Sequence, residues 1–405
     1  MGSTTSRRDE ILALTERIEA LINDPQTVTE LNHDPLRRRL REAGRRLSVA
    51  LETPGDTAHR VVYSPLHLVT AKVGVDKGIF KLLAEAGDST FTAKELAQKT
   101  NIDPVLLKRL LRYYQAFDYI RQPADDRYGA THVTKSMTGL ALTSGAGLFY
   151  HMNAPTFMAL PKFLAKNNYR NPNDVSDCPF QVGHNTDLSL FPWFQRRPEL
   201  GPDFLNWMNS HCSDLPRFYD SYDIKQELWQ NADADTILFV DVGGAHGHQT
   251  LGLKQKYPDQ PGRFILQDQD FVVQQVKATP LPGFDGIQAQ VHDFFTPQPL
   301  QGARAYYFRN VFHDWPNDIC ARILANIRPA MTEHSVILID EIVLSERGST
   351  WRATQFDIAM LTLMGASERT ANEWHTVLDE AGFKIRSICQ YTEECQNGLI
   401  VAVPK

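Results

Sequence analysis

Two different spacings of apolar residues divide the chain. Near the N-terminus, apolar residues such as Ile11 and Leu14 recur every three or four positions, which predicts amphipathic helices over residues 8–23 and about 34–51. In the C-terminal part, short apolar runs such as Ile237–Val242 alternate with helical segments. Strands and helices alternate in this way in doubly wound sheets, so we expect an α/β architecture there.

The region between these two parts predicts a small helix–helix–hairpin unit. Thr92 and Glu95 have the spacing of a capping box at the start of a short helix. Asp103 then precedes a longer helix, and residues 125–129 form a turn between two extended pieces. This order is typical of a winged helix, which often binds DNA. The longer helix has only three basic residues over positions 107–114, so we do not expect nucleic-acid binding.

A glycine-rich turn follows the apolar run that ends at Asp241. Gly243, Gly244 and Gly247 allow a tight turn into a helix that we expect to begin near His248. Glycine permits positive φ and a close approach of a ligand to the backbone, and the helix N-terminus offers free N–H groups. The turn therefore indicates a site for a nucleotide-like cofactor.

Two further acidic positions stand where such a cofactor would need them. The run Arg263–Asp268 predicts the next strand, and its last residue has the position that holds a ribose diol in βαβ nucleotide folds. Downstream, Asp293 and Phe294 pair a carboxylate with an aromatic ring, which suits the amino group and the face of an adenine. Each acid alone could instead cap a helix, but three acids at the ends of successive predicted strands favour the cofactor site.

A nicotinamide cofactor is the competing interpretation of the turn. The glycines fall at positions 243, 244 and 247, so the full G-x-G-x-x-G pattern is absent. The motif also comes late, after some 235 residues, whereas a dehydrogenase often opens with it. Both observations count against a dehydrogenase.

The segment 136–225 is dense in aromatic residues and methionine. We interpret it as a helical connector that forms an apolar pocket for a flat ligand, although any single residue in it could belong to a helical core. The candidate substrate contacts are His151, Met152, Phe157, Phe180, Trp193 and Met208.

Length, charge and cysteine content exclude several classes of protein. The chain has 405 residues, enough for two domains, and a net charge of −6, which does not suggest a nucleic-acid partner. No stretch approaches the ~20 apolar residues that cross a bilayer, so we expect no membrane partner. The N-terminus has no apolar signal core. Five scattered cysteines without a C-x-x-C pair fit a reducing compartment, so we expect a cytoplasmic protein without a zinc site.

Together these motifs resemble one known family, the metal-independent small-molecule O-methyltransferases of the caffeate and flavonoid type. Within it, the chain is most similar to the fungal secondary-metabolite branch. The resemblance covers nearly the whole chain. It rests on the order and spacing of residues 241–244 (DVGG), 266–268 (LQD), 293–294 (DF), 309–315 (RNVFHDW), 340–341 (DE) and 367–370 (SERT).

The resemblance implies a Rossmann-like class I S-adenosylmethionine (SAM) methyltransferase sheet, preceded by an α-helical winged-helix dimerisation domain. It implies SAM as the cofactor, S-adenosylhomocysteine as its product, no metal, and a homodimer. The expected domains are 1–135, the helical and winged-helix dimerisation domain; 136–225, the connector that forms the acceptor pocket; and 226–405, the SAM-binding catalytic domain.

The resemblance also assigns cofactor contacts position by position. Gly243 and Gly244 would line the methionine side of SAM, and Asp268 would hold the ribose hydroxyls. Asp293 and Phe294 would bracket the adenine, and Arg309 would be a basic cofactor contact. These cofactor-binding positions are Asp241, Gly243, Gly244, Asp268, Asp293, Phe294 and Arg309.

The resemblance makes His313 the catalytic base and Glu341 and Glu368 the carboxylates that flank it. A phenol has a pKa near ~10, so its oxygen needs a base to become a nucleophile near neutral pH. A carboxylate beside the imidazole orients the ring and stabilises the imidazolium that forms. We expect the neighbouring Asp314 to cap the helix that starts at Pro316 instead.

One position departs from the family pattern. Ala245 stands where the family usually has a third consecutive glycine, and its methyl group could crowd the methionine end of SAM. Two functions therefore stay open. The first is methyl transfer to a phenolic or enolic hydroxyl of a small polyketide-like or aromatic metabolite. The alternative is a pericyclase of the same family, which binds SAM but catalyses a dehydration or cycloaddition without methyl transfer.

Overall fold

The computed structural model describes residues 7–23, 35–210 and 215–405. Two compact units divide the chain between Thr70 and Ala71. The domain boundaries expected at residues 135 and 225 stay predictions. In the described part of the chain, no helix combines the length and the apolar character that a membrane crossing needs.

The first unit is helical. It contains α1 (Arg7–Asn23), α2 (Pro35–Ala50), α3 (Pro54–Val62) and the beginning of α4 (Pro65–Asp76). The first two helices lie where the apolar spacing predicts them. Helix α3 begins behind Thr53, whose hydroxyl accepts the Asp56 N–H while the Asp56 carboxylate accepts the Thr53 N–H. Such a reciprocal pair satisfies two free donors at the start of a helix.

The helices of the first unit have no core of their own. Among its described residues no side chain is buried. Large apolar side chains face water instead, at Ile11, Leu12, Leu14, Leu21, Ile22, Leu36, Leu40, Leu47, Val49, Leu51, Val61, Val62, Tyr63 and Leu66. An apolar surface of this extent is typical of an interaction site.

The second unit begins with a helix–helix–hairpin module. Its elements are α5 (Ile79–Glu85), α6 (Ala93–Thr100), α7 (Pro104–Ala116), β1 (Ile120–Ala124) and β2 (Arg127–Ala130). Gly78, whose φ is +66°, separates α5 from the preceding helix α4. The module closes over a small core that includes Phe80, Leu107 and Tyr114. Its use as a winged-helix dimerisation unit stays a prediction.

A run of short helices connects this module to the sheet. It consists of α8 (His132–Ser136), α9 (Leu140–Leu148), a π-helical turn (Phe149–Asn153), α10 (Ala154–Lys166), α11 (Pro179–His184), α12 (Leu190–Gln195), α13 (Gly201–Ser210), α14 (Phe218–Ser221) and α15 (Ile224–Leu228). A 3₁₀ turn, Pro198–Leu200, lies between α12 and α13.

The rest of the unit is a mixed sheet between two layers of helices. Its strands are β3 (Ile237–Val242), β4 (Arg263–Asp268), β5 (Ile287–Val291), β6 (Ala305–Arg309), β7 (Val336–Leu344), β8 (Arg369–Thr370), β9 (Phe383–Gln390) and β10 (Asn397–Pro404). The helices are α16 (His248–Lys256), α17 (Asp270–Ala278), α18 (Asn317–Ile327), α19 (Trp351–Met364) and α20 (Ala371–Glu380), with 3₁₀ turns at Phe312–Asp314 and Arg328–Ala330.

The strand order makes one edge of the sheet the natural place for a ligand. The order is β5–β4–β3–β6–β7–β10–β9, with β8 paired to β7. Strands β3 to β7 run parallel, and β10 is antiparallel to both of its neighbours. Because the chain proceeds from β3 in one direction and returns to the other side of β3 with β6, a crevice opens at the carboxyl ends of these two strands. The expected α/β sheet is confirmed.

The sequence pattern explains this arrangement. The central strands are continuous apolar runs, as strands covered on both faces need to be. One face packs on α18 and α20 through side chains such as Ile323 and Trp374. The other packs on α14 to α16 through side chains such as Phe218 and Leu253.

Candidate active site

Two turns meet at the crevice. The glycine turn, residues 243–247, follows β3, and the histidine turn, residues 310–315, follows β6. The two strands are direct neighbours in the sheet, so their carboxyl ends bring the two turns side by side.

Steric constraints shape the glycine turn. Gly243 and Gly247 have φ values of +74° and +76°. Gly244 lies so close to its neighbours that an added Cβ would be 2.4 Å from the Asp241 Cγ and 2.5 Å from the Leu266 Cδ1. The cradle between these side chains therefore requires a glycine at position 244.

Ala245 occupies a conformation that L residues avoid. Its φ is +49°, in the left-handed region that costs a residue with a Cβ about 1–2 kcal/mol. The position where the resemblance leads us to expect a third glycine thus has a backbone conformation that glycine would adopt without strain. Helix α16 starts at His248 directly after the turn, as predicted.

The two strand-end acids lie at the base of this turn, Asp241 buried and Asp268 partly buried. Asp241 accepts the Thr250 hydroxyl on Oδ2 at 2.6 Å, while its buried Oδ1 has no hydrogen-bond partner. Burial, opposed by this hydroxyl, raises the pKa of Asp241 to about 7. Asp268 accepts the N–H groups of Ala245 at 2.8 Å and Gln269 at 2.7 Å, and burial raises its pKa. The carboxylate of Asp268 is thus fixed in place at the mouth of the turn.

The acid–aromatic pair lies beside the same turn. Asp293 Oδ1 accepts the Phe295 N–H at 2.9 Å, which fixes the loop after β5. The Phe294 ring borders the glycine turn, since a Cβ on Gly243 would lie 3.8 Å from the Phe294 Cε1. The predicted cofactor residues from β3 and β5 are therefore neighbours in the structure.

Two histidines, one within the glycine turn and one directly before Asp293, have buried atoms without hydrogen-bond partners. These atoms are the Nδ1 of His246 and the Nε2 of His292. Buried polar atoms are rarely left unpaired in folded proteins, so together with Asp241 Oδ1 they fit a polar ligand. The sequence-based list omits both histidines, although they directly adjoin Gly247 and Asp293 in the chain.

Arg309 ends β6 and is held by groups beneath the crevice. Its Nη1 lies 3.5 Å from Asp340 Oδ2, and the same carboxylate accepts the hydroxyls of Tyr307 at 2.5 Å and Tyr391 at 2.6 Å. The Gln249 amide oxygen, in the orientation that satisfies both ends of the amide, also accepts from Arg309 at 2.7 Å. Arg309 therefore joins β6, β7 and the start of α16.

The backbone of the histidine turn is bound to Glu341. Asn310 has a φ of +50°, and residues 312–314 form a 3₁₀ turn. The Glu341 Oε1 accepts the N–H groups of Val311 at 3.0 Å, Phe312 at 2.7 Å and His313 at 3.4 Å. Glu341 lies inside β7 and holds the turn through its backbone.

Three carboxyl groups surround the His313 ring. Glu368 Oε1 lies 2.7 Å from Nδ1, Glu341 Oε2 lies 3.9 Å from Nδ1, and Asp314 Oδ1 lies 3.5 Å from Nε2. Burial opposes the charged form of His313, but these carboxylates outweigh it and raise the pKa of the ring to about 10. Burial also raises the pKa of Glu341 to about 7. The predicted trio of His313, Glu341 and Glu368 is thus assembled, with Glu368 as the direct ring partner.

The expectation that Asp314 caps the following helix is wrong. Helix α18 begins at Asn317 with Pro316 in the capping position and no side-chain cap. The 3₁₀ turn keeps Asp314 at the His313 Nε2, where burial raises the pKa of the carboxyl to about 6. The pattern of an acid before Trp-Pro therefore marks a neighbour of the histidine ring.

The same trio is close enough to bind a cation. Within the described ranges, His313, Glu341 and Glu368 are the one group of three histidine, cysteine or acidic residues whose ligand atoms lie within 4.8 Å of one another. Two of the atoms that could bind a cation already have hydrogen-bond partners, since His313 Nδ1 bonds Glu368 and Glu341 Oε1 accepts three N–H groups. This geometry favours acid–base use of the trio. The expectation of no metal stays a prediction.

The connector supplies an aromatic cluster near the histidine turn. Met152, Phe180 and Trp193 are buried together with Leu363 and Met364 of α19. The Phe191 ring lies 6.2 Å from the Trp315 ring of the histidine turn, so the connector adjoins the crevice.

The candidate substrate contacts differ in exposure. Phe157 is partly buried, Met208 is 40% exposed, and His151 is exposed. Their contact with a substrate stays a prediction.

The π-helical turn adds a residue that sequence reasoning missed. Asn153 is buried, and its Oδ1 has no hydrogen-bond partner. The Met152 carbonyl, in the same turn, lies 2.8 Å from the His184 Nε2. Single π-helical turns are frequent at functional sites, but no sequence pattern predicts one.

Comparisons with known proteins agree with this geometry. Residues 225–384 match the model of the O-methyltransferase domain family. The O-methyltransferase ucdC of Aspergillus ustus is 36% identical over 91% of this chain and 95% of its own length. The O-methyltransferase lepI of Aspergillus flavus is 36% identical over 90% of this chain and 93% of its own length. The demethylsterigmatocystin 6-O-methyltransferase of Aspergillus parasiticus is 35% identical over 89% and 91%.

Solved structures with this fold contain the expected cofactor or its product. LepI in complex with SAM has a TM-score of 0.86 and 33% identity, covering 99% of this chain and 100% of LepI. OxaC in complex with S-adenosylhomocysteine and oxaline has a TM-score of 0.82 and 25% identity, covering 98% of each chain.

The fold and the two turns define a class I SAM-dependent methyltransferase. A glycine cradle, two strand-end acids and unpaired polar atoms fit the adenosyl and methionine parts of SAM. The chain belongs to the O-methyltransferase family of fungal secondary metabolism, and its cofactor is SAM. Both the predicted family and the predicted cofactor are confirmed.

Proposed function

We propose that this protein transfers the methyl group of SAM to a phenolic or enolic hydroxyl of a small polyketide-like or aromatic metabolite, with His313 as the general base. The observation that carries the proposal is the orientation of the ring. Because Nδ1 bonds Glu368 at 2.7 Å, Nε2 is the nitrogen available to an acceptor hydroxyl.

The residues of the glycine turn would hold the cofactor. Gly243 and Gly244 would face the methionine part, Asp268 the ribose hydroxyls, and Asp293 with Phe294 the adenine. When bound, SAM supplies an electrophilic methyl group, so that the protein needs to position the acceptor and remove its proton.

Proton removal follows from the charges around His313. The acceptor O–H proton moves to Nε2, and the resulting imidazolium lies between Glu368 at Nδ1 and Asp314 at Nε2. The ring pKa of about 10 is close to the ~10 of a phenol, so the transfer is nearly balanced in energy. Since an empty site with this pKa holds the ring protonated at neutral pH, the competent complex forms after loss of one proton, and the rate should rise with pH.

The exposed apolar surface of the first unit supports a homodimer. Its described helices bury no side chain, and a second copy of the chain would cover the faces of α1 to α3. With the helix–helix–hairpin module, these helices would form the winged-helix dimerisation domain, ahead of the connector and the SAM-binding domain.

A pericyclase function is the second candidate. A solved structure of a pericyclic reaction enzyme matches this chain with a TM-score of 0.86 and 33% identity. In such a reaction the bound SAM would not be consumed, and the product would carry no new methyl group. The retained His313 and Glu368 pair favours methyl transfer.

Mass spectrometry tests both candidates. The purified protein is incubated with methyl-deuterated SAM and an extract of fungal secondary metabolites. We expect a product that carries the labelled methyl group, and we expect His313→Ala to abolish it while binding of S-adenosylhomocysteine is retained. His334→Ala, at an exposed histidine, serves as the control.

Two results would contradict the proposal. Undiminished labelling of the product by the His313→Ala variant would show that His313 is not the general base. A substrate that disappears, only with SAM present, into an unlabelled isomer or dehydration product would establish the pericyclase instead.

A further inference from the structure

The carbonyl side of the histidine turn is held by a buried arginine. Arg369 is 2% exposed. Its Nη1 donates to the Phe312 carbonyl at 3.1 Å, and its Nη2 donates to the Trp315 carbonyl at 2.7 Å. One guanidinium thus spans the turn from the residue before His313 to the second residue after it.

The remaining contacts of Arg369 are also uncharged. Nε donates to the Asn317 Oδ1 at 2.9 Å, Nη1 donates to the Ser367 carbonyl at 3.3 Å, and Nη2 donates to the Cys320 Sγ at 3.5 Å. The guanidinium lies 5.1 Å from the centre of the Trp374 ring. Removing a cation from water is costly, and uncharged acceptors compensate for this less than a carboxylate would. Because these acceptors offset the cost of burying the cation only in part, we infer that Arg369 has a role beyond folding stability.

The opposite side of the turn is held by Glu341, through three N–H groups. Both residues come from one pairing, since Val343 of β7 is in register with Arg369 of β8. Glu368, the residue before Arg369, bonds the ring. Residues in β7 and at or directly before the start of β8 therefore bond three parts of the histidine turn. These parts are its backbone N–H groups, its backbone carbonyls and the Nδ1 of His313.

We propose that Arg369 is a positioning residue for the general base, which holds the carbonyl side of the histidine turn so that the His313 Nε2 points at the acceptor. This inference rests on the proposed function, in which His313 is the base. It adds a role for Arg369 that acts through the turn, without contact with substrate or cofactor.

The chemistry of arginine explains why this residue type is needed. Its planar guanidinium carries five N–H donors in a fixed fork, and the hydrogen bonds above use that fork in different directions. The ammonium of lysine is a single point charge, which could reach one carbonyl but not span the turn. The substitution Arg369→Lys keeps the positive charge and loses the geometry, so it separates the contributions of the two.

Nuclear magnetic resonance of histidine labelled with nitrogen-15 tests the proposal without an acceptor. In the wild-type protein, the His313 Nδ1–H bonded to Glu368 should give a signal downfield of the amides. His313→Ala assigns it by its loss. We expect Arg369→Lys to shift this signal and to speed its exchange with water at least ~10-fold, since a displaced ring opens the bond more often.

The matched control is Arg352→Lys. Like Arg369, Arg352 lies against a tryptophan ring. It bonds the Glu394 carboxylate at 2.8 Å and does not contact the histidine turn. This variant should leave the His313 signal unchanged. Calorimetric titration with S-adenosylhomocysteine should give the wild-type affinity for both lysine variants, which shows that each is folded.

Asn317→Ala is the second test variant, in case Arg369→Lys does not fold. It removes the Nε acceptor alone, so it should change the signal in the same direction by a smaller amount. A wild-type signal and exchange rate in the variant that folds would overturn the proposal.

Labelled methyl transfer separates this proposal from the proposed function. With an acceptor from the extract, we expect kcat of Arg369→Lys to fall roughly 10- to 100-fold at unchanged KM for SAM, as a misplaced base predicts. An unchanged kcat together with an inactive His313→Ala would overturn the role of Arg369 alone. Activity retained by His313→Ala would overturn the proposed function.

Discussion

The glycine turn and the histidine turn occupy equivalent places in the fold but are built in opposite ways. Both follow a central parallel strand at the same crevice. Three of the five residues of the glycine turn are glycines. Buried polar atoms in the turn and just before it, His246 Nδ1 and Asp241 Oδ1, have no hydrogen-bond partners. The backbone of the histidine turn is hydrogen-bonded on both sides, to Glu341 and to Arg369.

The difference reflects what each turn has to do. A turn that receives a ligand needs space and unsatisfied polar groups, which the ligand then pairs. A turn that carries a base needs one fixed geometry before the acceptor arrives, because pre-organised groups cost no rearrangement during the reaction. Substitutions that reverse these properties test the comparison.

The largest effect after loss of His313 is expected from Glu368→Gln. Glutamine keeps a hydrogen bond to Nδ1 but removes the negative charge that contributes most to the raised pKa of His313. The imidazolium then loses its main stabilisation, and the plateau value of kcat, reached at pH above the pKa of His313, should fall roughly 100-fold.

The pH dependence of the methyl-transfer rate shows in which direction Glu368 shifts the pKa of His313. The neutral ring is the base, so the rate rises with pH towards the pKa of His313. Since Glu368→Gln lowers that pKa, the rising part of the profile should move to lower pH, as rates of labelled methyl transfer between about pH 6 and 10 would show. Glu346→Gln, at a glutamate bonded to Asn372, is the control. A profile that does not move would contradict the charge argument.

A methyl group added to the glycine turn should have an intermediate effect. In Gly244→Ala the new Cβ would meet the Asp241 carboxyl group at 2.4 Å. Overpacking of this kind costs about 1–3 kcal/mol of folding free energy, and displacement of the turn should weaken binding of S-adenosylhomocysteine roughly 10-fold.

Thermal unfolding and calorimetric titration measure the two effects of Gly244→Ala. The control is Gly201→Ala, since a Cβ at that glycine meets nothing within 4 Å. Wild-type affinity in Gly244→Ala would show that the cradle is not part of the cofactor site.

The smallest effect concerns the departure from the family pattern. Ala245→Gly relieves a left-handed φ that costs about 1–2 kcal/mol, but glycine adds about 0.4–1 kcal/mol of unfolded-state entropy. We expect a net gain in stability of up to about 1.6 kcal/mol in thermal unfolding.

The same substitution in an ordinary helix gives the opposite sign. Ala325→Gly in α18 should destabilise the protein by about 1 kcal/mol. A loss of stability in both variants would mean that the backbone at Ala245 is not strained.

The two turns also differ in how well the sequence predicts them. For the glycine turn, strands β3 and β4 and the start of α16 were predicted at the residues where the structure has them. The signals there are local: an apolar run, an acid at its end and glycines directly after it. Local patterns suffice because the turn is shaped mainly by its own backbone.

The histidine turn shows where sequence reasoning ends. His313, Glu341 and Glu368 could be matched to a family, but their contacts depend on how three distant segments meet. That Glu341 binds backbone N–H groups, that Asp314 lies at Nε2 and that Arg369 spans the carbonyls are tertiary facts without local patterns. The capping rule failed at Asp314 because a 3₁₀ turn intervenes before α18.

The short pairing of β8 with β7 has a consequence for changing the specificity of this enzyme. This pairing brings the chain back beside β7, the strand that contains Glu341, after the segment that includes α19. Helix α19 supplies Leu363 and Met364 to the cluster beside the predicted acceptor pocket. The wall of that pocket and the support of the base are therefore consecutive in sequence, and α19 also contacts that support directly, since the Asp357 carboxylate accepts the Glu368 N–H at 3.0 Å. Recombination that exchanges the segment between β7 and β8 among relatives, with both ends in register and Asp357 kept, is thus a route to new acceptors that preserves the support of the base.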